Sequence, residues 1–359
     1  MPAPDLLHGR ILPTLVRLAI PNIFAMVSAP AVGIAETLYA GLLGKTSLAA
    51  LALVFPFVML MQMFSAGAMG GGVSSAISRA RGSGDHARAN QLATHAVCIG
   101  ATLGALFTVI LLVGGPSFLR ALGGSGEVLA LATLYAGWVF CVTPAIWLLN
   151  TMISVVRGTG DMRVPSLVIL AASALQIVAG ASFCFGWAGL PRLGIVGIAL
   201  GQVIAYFAFA VFVGWYLVTG RSALKLSLTG VQLRAEMFRD ILRVGALACL
   251  SPVLTVASIL VVTALVARHG YDALAGYGIG SRLEFLLVPI AFGVGVASVP
   301  MVGMAMGSGQ FARARSVAWA AAGLSAGILG CIGLLLAIAP GMWAGWFTSD
   351  PAVLARASD

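Results

Sequence analysis

Nine long apolar runs constrain the fold of this sequence more than any other feature. Hydrophobic residues make up 60% of the 359 residues and charged residues 9%, whereas an ordinary soluble domain carries about 25% charged residues. A helix needs about 20 mostly apolar residues to cross a bilayer, and every run meets that length. The runs are too long for barrel strands, and irregular lipid-facing backbone would leave its polar groups unpaired. The sequence therefore predicts an all-α integral membrane protein.

The predicted spans are joined by short polar loops. Their boundaries are residues 14–42, 48–76, 91–115, 128–155, 164–187, 194–219, 241–267, 273–305 and 315–347. No cleavable signal pattern precedes the first span, which is too long for a signal-peptide core. The first run is therefore counted as a membrane helix.

The distribution of Lys and Arg predicts the orientation. If the N-terminus is cytoplasmic, fourteen of these residues fall in inside loops, and four fall outside, namely Lys45, Arg120, Arg192 and Arg268. Such an excess is the positive-inside rule. It predicts a multi-pass protein of the cell inner membrane with a cytoplasmic N-terminus. It also explains the net charge of +9 without a nucleic-acid partner.

An internal repeat divides the chain. "GSGDHARA" at 82–89 recurs as "GSGQFARA" at 307–314, an offset of 225. "LVRLA" at 15–19 resembles "ILRVG" at 241–245, and "LAA" at 48–50 resembles "LAG" at 274–276, both at an offset of 226. A single one-residue gap reconciles the two registers, so spans 7 to 9 copy spans 1 to 3.

The repeat predicts two pseudo-symmetric six-helix bundles. The first unit has an even number of spans, so both copies run the same way through the membrane and are related by an axis along the membrane normal. The first bundle covers residues 1–225. The second, over 226–359, is expected to be incomplete, with helices 7 to 9 and the start of a tenth, because the sequence stops well before a second full period. The alternative is a true nine-helix protein.

Loop motifs at equivalent positions resemble those of one transporter family. "RGTGDMRVP" at 157–165 is similar to the RGxGDxxxP loop of the multidrug and toxic compound extrusion (MATE) transporters. "ARGSGDHARA" at 80–89 and its copy at 307–314 are similar to that family's GxGxxxxA loop. The resemblance implies two bundles around a central cavity, alternating access, and drug export coupled to H⁺ or Na⁺, with no other cofactor. For the loop residues themselves we expect structural roles, with Arg157 and Asp161 at helix ends facing anionic lipid.

Three charged residues stand clearly inside the predicted spans, where a charge costs about 2.5–3.5 kcal/mol on insertion scales. They are Glu36, Arg282 and Glu284. Glu36 lies nine residues before Lys45, about 13 Å from the outer end at a rise of 1.5 Å per residue. A carboxylate cannot snorkel that far, so Glu36 must face protein or water within the membrane. We predict that Glu36 and Glu284 bind the coupling cation. The structural alternative is a buried ion pair or a hydrogen bond across the bundle.

Polar residues near these charges are predicted to line the cavity. Tyr39 shares a helix face with Glu36 and is placed to donate a hydrogen bond to it. Some family members carry Asn and Asp four residues apart on the fifth helix; the matching residues here are Gln176 and Gly180, so that acid is absent. Contacts between helices explain the neutral residues equally well. The predicted cavity residues are Tyr39, Asn150, Gln176, Gln202, Tyr277 and Arg282.

The leading hypothesis is a monomeric secondary antiporter that exports cationic, amphipathic drugs. A lipid-linked oligosaccharide flippase of the same superfamily is the second hypothesis, but it requires a strongly basic cavity, and only Arg282 qualifies. A third is a truncated fragment that does not transport. An enzyme is not favoured, because the spans contain no nucleophile–base pair or metal-ligand cluster and the five cysteines form no CxxC pair.

Overall fold

The computed structural model describes residues 5–226, 232–267, 271–339 and 342–343. For some helical residues it describes the backbone alone, namely 260, 263, 264, 267, 271–276 and 278–286. These parts of the chain consist of helices joined by short turns and contain no strand. The all-α prediction is confirmed.

The helices of the described chain follow one another with few intervening residues. They are α1 (Ile11–Leu43), α2 (Lys45–Gln62), α3 (Gly70–Gly82), α4 (His86–Ala121), α5 (Gly126–Cys141), α6 (Thr143–Gly158), α7 (Arg163–Phe185), α8 (Ile195–Val218), α9 (Ala235–Ala248), α10 (Leu250–Ala267), α11 (Tyr271–Gly307) and α12 (Phe311–Ile338). Between α2 and α3 the seven residues Met63–Met69 wind as a π helix, which we call the π segment.

Eight helices of the described part are long and apolar enough to cross a membrane, or nine if the bent pair α5–α6 forms one span. The predicted fourth span, 128–155, is this pair, which bends by 43°. Pro144 lies in the first turn of α6, where the missing backbone N–H of proline is tolerated. Inside a continuous helix, a proline would break the hydrogen-bond ladder. The predicted seventh span, 241–267, begins earlier than expected and is divided at Cys249 into α9 and α10.

Large apolar side chains cover the outside of these helices. Among them, Phe24 is 68% exposed, Ile34 71%, Val113 79% and Trp319 70%. A soluble monomer rarely leaves extensive apolar surface in water, whereas lipid tails solvate it. The helix lengths and this surface together identify a multi-pass membrane protein.

The two glycine loops, 82–89 and 307–314, have the same backbone. Gly84 and Gly309 both have a φ of 78°, a left-handed conformation that glycine adopts without a Cβ clash. The residue after each of these glycines donates its N–H to the carbonyl five positions earlier, at 3.0 Å in the first loop and 2.8 Å in the second. The offset of 225 residues in the sequence is therefore also an offset in the structure.

The ends of α3 and α11 cross about an approximate two-fold axis. A Cβ on Gly82 would lie 2.6 Å from the Cα of Met304, and one on Gly307 would lie 2.8 Å from the carbonyl carbon of Arg79. At the offset of 225, Gly82 is equivalent to Gly307 and Arg79 to Met304, so both copies make the same contact, as in an isologous interface. This is the geometry expected of a parallel repeat. The boundary between the bundles at residue 225 stays a prediction.

Arginines beside this crossing join the two copies. Asp240 of α9 pairs with Arg79 at 2.6 Å and with Arg88 at 3.1 Å. Arg313, the equivalent of Arg88, donates to two backbone carbonyls of the segment before α1, at 3.2 and 2.5 Å. Arg88 and Arg313 each lie near the end of a glycine loop and hold the segment that begins the opposite half of the repeat.

Arg157 and Asp161 have different environments. Oδ1 of Asp161 accepts the N–H of Arg163 at 2.9 Å, so Asp161 caps α7 as expected. The expectation that Arg157 faces lipid is wrong, because this residue is 3% exposed and its Nη2 donates to Oδ1 of Asn22 at 2.9 Å. Asn22 in turn donates to the carbonyl of Gly293 in α11 at 3.0 Å. The packing of α1 and α11 buries the guanidinium, and the amide supplies the polar partner that a buried donor requires.

Candidate functional site

Glu36 lies near the end of α1 and faces α7. Its Oε1 accepts a hydrogen bond from Nε2 of Gln176 at 2.8 Å. Glu36 is half-buried, and Gln176 is 8% exposed. The pair forms because α1 packs along α7, which brings together two residues that the sequence singled out separately.

The charge of Glu36 has no described counter-charge. Within the part of the chain whose side chains are described, Glu36 forms no ion pair, and its Oε2 accepts no hydrogen bond. The hydrogen bond across the bundle, one of the structural alternatives, is present, but a neutral amide does not balance a carboxylate charge away from water. The arrangement therefore favours a proton or a metal cation on Glu36.

Tyr39, one turn after Glu36 on α1, packs against α7. The predicted hydrogen bond from Tyr39 to the acid is wrong, because the Tyr39 hydroxyl donates to the carbonyl of Ile177 at 3.4 Å. An edge-to-face contact with Phe185, with centroids 5.7 Å apart, holds the Tyr39 ring against α7.

Gly180 occupies the position at which some family members carry a second acid. A Cβ here would lie 3.8 Å from the carbonyl oxygen of Ile198 and 4.0 Å from Cε2 of Tyr39. Both are ordinary van der Waals distances, so packing does not exclude a side chain that faces Tyr39. The tight crossing of α7 and α8 is at Gly201, whose Cβ would lie 2.5 Å from the amide nitrogen of Gly180.

Asn150 belongs to a second polar group, which we call the amide cluster: Gln62, Ser65, Asn150 and Tyr206. Nδ2 of Asn150 donates to Oε1 of Gln62 at 3.0 Å and to Oγ of Ser65 at 2.9 Å. Nε2 of Gln62 donates to the Tyr206 hydroxyl at 2.6 Å. Sequence reasoning missed Gln62, Ser65 and Tyr206. One signal was available, because Gln62 is the single polar side chain between Ser47 and Ser65.

Among the described side chains, no hydrogen bond joins Gln202 or Tyr277 to these two groups. Gln202 of α8 is 3% exposed, and Tyr277 is half-buried in α11. Arg282 and Glu284 lie on α11, but their side chains are outside the described residues, so their roles stay predictions. Among the residues described, no group of three or more His, Cys, Asp or Glu side chains could hold a metal ion.

Curated relatives of this chain are named for transport, multidrug export or multidrug resistance. It is 24% identical to the FAD transporter of Shewanella oneidensis over 86% of its length. It is 26% identical to the multidrug export protein MepA of Staphylococcus aureus over 91%, and 26% identical to the probable multidrug resistance protein YoeA of Bacillus subtilis over 77%. The alignments cover 67%, 71% and 60% of these relatives, so the chain spans only part of their length.

Solved structures of MATE transporters have the same fold. An outward-facing multidrug resistance MATE transporter of the MOP superfamily superposes with a TM-score of 0.89 at 25% identity, covering 98% of this chain and 78% of that one. A MATE transporter in a bent conformation gives a TM-score of 0.90 at 26% identity, with the same coverage. The helical arrangement described above is therefore that of a two-lobed MATE transporter.

A family model described as MatE matches residues 21–181 and 248–359. The matched ranges contain Glu36, Gln176 and both glycine loops, which are the features that define the site and the repeat. The FAD transporter and the multidrug export protein among the relatives are named as transporters and not as enzymes. The chain belongs to the MatE family of multidrug-efflux-type membrane transporters.

Proposed function

We propose that this chain forms the core of a cation-coupled antiporter that exports organic compounds, and that Glu36 carries the coupling H⁺ or Na⁺. The observation that carries the proposal is the contact between Glu36 and Gln176, in which an acid on a membrane helix is held at 2.8 Å by a neutral amide. Membership of the MatE family and the multidrug export proteins among the relatives support the export of drugs.

Antiport follows from competition for one negative charge. An ionised Glu36 has one hydrogen bond and no described counter-charge. Binding of H⁺ or Na⁺ removes the free-energy cost of keeping that charge unpaired away from water. A cationic substrate near Glu36 is stabilised by the same charge. Binding of one cation therefore weakens binding of the other, and the coupling is reciprocal. Alternating access then exchanges them across the membrane.

The remaining parts of the proposal rest on sequence. Glu284 on α11 is the candidate acid of the second bundle, and Tyr39, Gln176, Gln202, Asn150, Tyr277 and Arg282 are the candidate cavity residues. The excess of Lys and Arg in one set of loops supports an inner-membrane protein with a cytoplasmic N-terminus. Arg79 and Arg88, which pair with Asp240, and Arg313 would then lie on the cytoplasmic side.

A second candidate substrate class is an anionic dinucleotide. It is favoured by the relative named as a FAD transporter. The two classes make opposite demands on Glu36, because an anionic substrate is repelled by an ionised carboxylate and a cationic one is attracted to it.

Transport by proteoliposomes tests the proposal. Ethidium and FAD are offered separately, under an imposed gradient of H⁺ or of Na⁺, to the wild type, Glu36→Gln, Glu284→Gln and Ser28→Ala. Ser28 is the matched control because it bonds Ser173 at 2.9 Å, across the same two helices as Glu36 and Gln176. We expect Glu36→Gln to reduce gradient-driven ethidium transport to near background and Ser28→Ala to retain it.

The proposal fails if coupled transport is unchanged in both acid variants. Transport of FAD without transport of ethidium would replace the cationic substrate class by the anionic one.

A further inference from the structure

Asn22 forms a hydrogen bond between the two halves of the repeat where two of their helices cross. Its Nδ2 donates to the carbonyl oxygen of Gly293 in α11 at 3.0 Å, and Asn22 has no exposed surface. A Cβ on Gly293 would lie 2.5 Å from Cγ1 of Ile23, the residue after Asn22, and 3.0 Å from its Cα. The bond therefore lies at a crossing of α1 and α11 that leaves no room for a side chain on Gly293.

Close contacts between the halves continue along α11 from this bond to the glycine loops, and we call them the seam. A Cβ on Gly303 would lie 2.7 Å from Cβ of Ser78 in α3, and Gly307 makes the crossing already described. Gly307 follows Gly293 by fourteen residues, about 21 Å at a rise of 1.5 Å per residue. An opening of the protein on the side of the glycine loops must break the seam, including the bond from Asn22 to Gly293.

Arg157 of α6 fixes the orientation of the Asn22 amide. Its Nη2 donates to Oδ1 of Asn22 at 2.9 Å, and a guanidinium has donors but no acceptor. The carbonyl of Gly293 accepts and does not donate. The amide oxygen must therefore face α6 and the amide nitrogen must face α11, because the opposite orientation loses both bonds. The first half thus positions the donor that binds the second half.

The guanidinium of Arg157 is buried in this arrangement without a counter-charge. Its Nε has no hydrogen-bond partner, and no acid pairs with it among the residues that the structure describes. Arginine keeps its charge in proteins, and a buried charge without a partner ion costs free energy. Because water reaches the group when the seam opens, this charge favours opening. The bond from Asn22 to Gly293 acts in the opposite direction and favours the closed state.

We propose that Asn22 and Arg157 are positioning residues that form a latch between the halves, closed in this structure and opened once in each transport cycle. The latch consists of the bonds from Arg157 to Asn22 and from Asn22 to Gly293. This inference rests on the alternating access of the proposed function, but not on which cation or substrate is carried. The side chain at position 22 must accept and donate at the same time, which neither a carboxylate nor an apolar side chain can do.

Asn22→Asp separates the latch from ordinary packing. The carboxylate has nearly the size of the amide and binds Arg157 more strongly, but it has no hydrogen to donate to Gly293. Spin labels at His86 and Phe311, exposed first residues of α4 and α12, report the separation of the two halves by double electron–electron resonance in a cysteine-free background. We expect the ratio of long to short distances to rise about fivefold, which corresponds to the loss of one hydrogen bond worth about 1 kcal/mol.

A second substitution is expected to reverse this effect. When Asn22→Asp is combined with Arg157→Met, the new acid has no counter-charge and binds a proton, because an isolated buried carboxylate is neutralised. A protonated carboxyl donates one O–H, so the bond to Gly293 can form again. The ratio should fall back towards the wild-type value. A residue that only fills space at position 22 would give no such reversal.

Two further variants keep the test decisive. Asn22→Leu removes both bonds of the latch and should also raise the ratio, which guards against misfolding of Asn22→Asp. Ser28→Ala removes a hydrogen bond of α1 within the first half and should leave the ratio unchanged. An unchanged ratio in both Asn22 variants would overturn the latch alone. The expected shifts in a protein whose wild type shows no cation-coupled transport would instead support the latch and overturn the proposed coupling.

Discussion

Lys45–Gly82 and Tyr271–Gly307 are copies of one helix that agree at their ends and differ between them. Both end at a glycine that packs against the other copy, and both lead into a loop with the same backbone. In the middle, the first copy has a π segment gripped by amide side chains, and the second has a plain α-helix. The ends are alike because both halves form the shared crossing there. The middle lies outside that crossing, so its structure can differ between the two copies.

The largest expected effect comes from filling the shared end. Gly82→Leu and Gly307→Leu each place a side chain against backbone, where the Cβ alone would lie 2.6 Å and 2.8 Å from the nearest carbon atoms. Overpacking of this kind costs about 1–3 kcal/mol, and here the two halves can relieve it by separating. We expect both variants to lengthen the distance between spin labels at His86 and Phe311 to a similar extent.

Two nearby glycines provide matched controls. A Cβ on Gly71 of α3 or on Gly295 of α11 meets no atom within 4 Å, so leucine at either position should leave the distance unchanged. A long distance for Gly82→Leu together with a wild-type distance for Gly307→Leu would contradict the two-fold symmetry of the crossing.

A smaller effect is expected at the arginines that join the copies. Asp240→Asn removes two ion pairs that are partly exposed, and exposed pairs contribute up to about 1 kcal/mol each. Arg313→Gln removes hydrogen bonds to uncharged carbonyls instead. Both variants should lower the melting temperature. Because salt screens ion pairs, the deficit of Asp240→Asn should shrink in high salt, and that of Arg313→Gln should shrink less. Equal salt dependence would contradict the difference between the two contacts.

Much of this architecture could be predicted from the sequence, because long apolar runs and repeated loop motifs are local signals. The runs gave the membrane helices, and the two "GSG" motifs gave the repeat. The one-residue change of offset was visible too, although its cause, a π segment, depends on how Asn150 and Ser65 meet in three dimensions. Glu36 and Gln176 were each predicted, but their contact required the packing of α1 on α7.

Other features had no signal in the sequence. Arg157 resembles the loop arginines that face lipid headgroups, and it is buried only because α1 and α11 close over it. Tyr39 has the right spacing to reach Glu36, but its ring packs on Phe185 and its hydroxyl bonds the backbone of α7. Tertiary packing decided both cases against the local pattern.

The smallest effect is expected when a second acid is added beside Glu36, which compares the one-acid site of the first bundle with a two-acid site. Gly180→Asp adds a carboxylate facing Tyr39, where a Cβ has room. Two acids close together favour a bound cation more than one, because repulsion between them is relieved by it. We expect stronger protection by Na⁺ against thermal unfolding than in the wild type, by a few degrees at most. Gly180→Asn, of nearly equal size and uncharged, is the control, and an equal gain in both variants would contradict the electrostatic reason.

Exchange of the coupling cation for substrate at Glu36 is the central claim, and it can be measured without a membrane. Purified protein in weakly buffered detergent solution is mixed with ethidium while released H⁺ is followed with a pH dye and displaced ²²Na⁺ by filtration. The wild type is expected to release one of these cations as ethidium binds, and Glu36→Gln is expected to bind ethidium more weakly and, at ethidium concentrations high enough to occupy it, with no release. Equal release from the wild type and from Glu36→Gln would contradict the account.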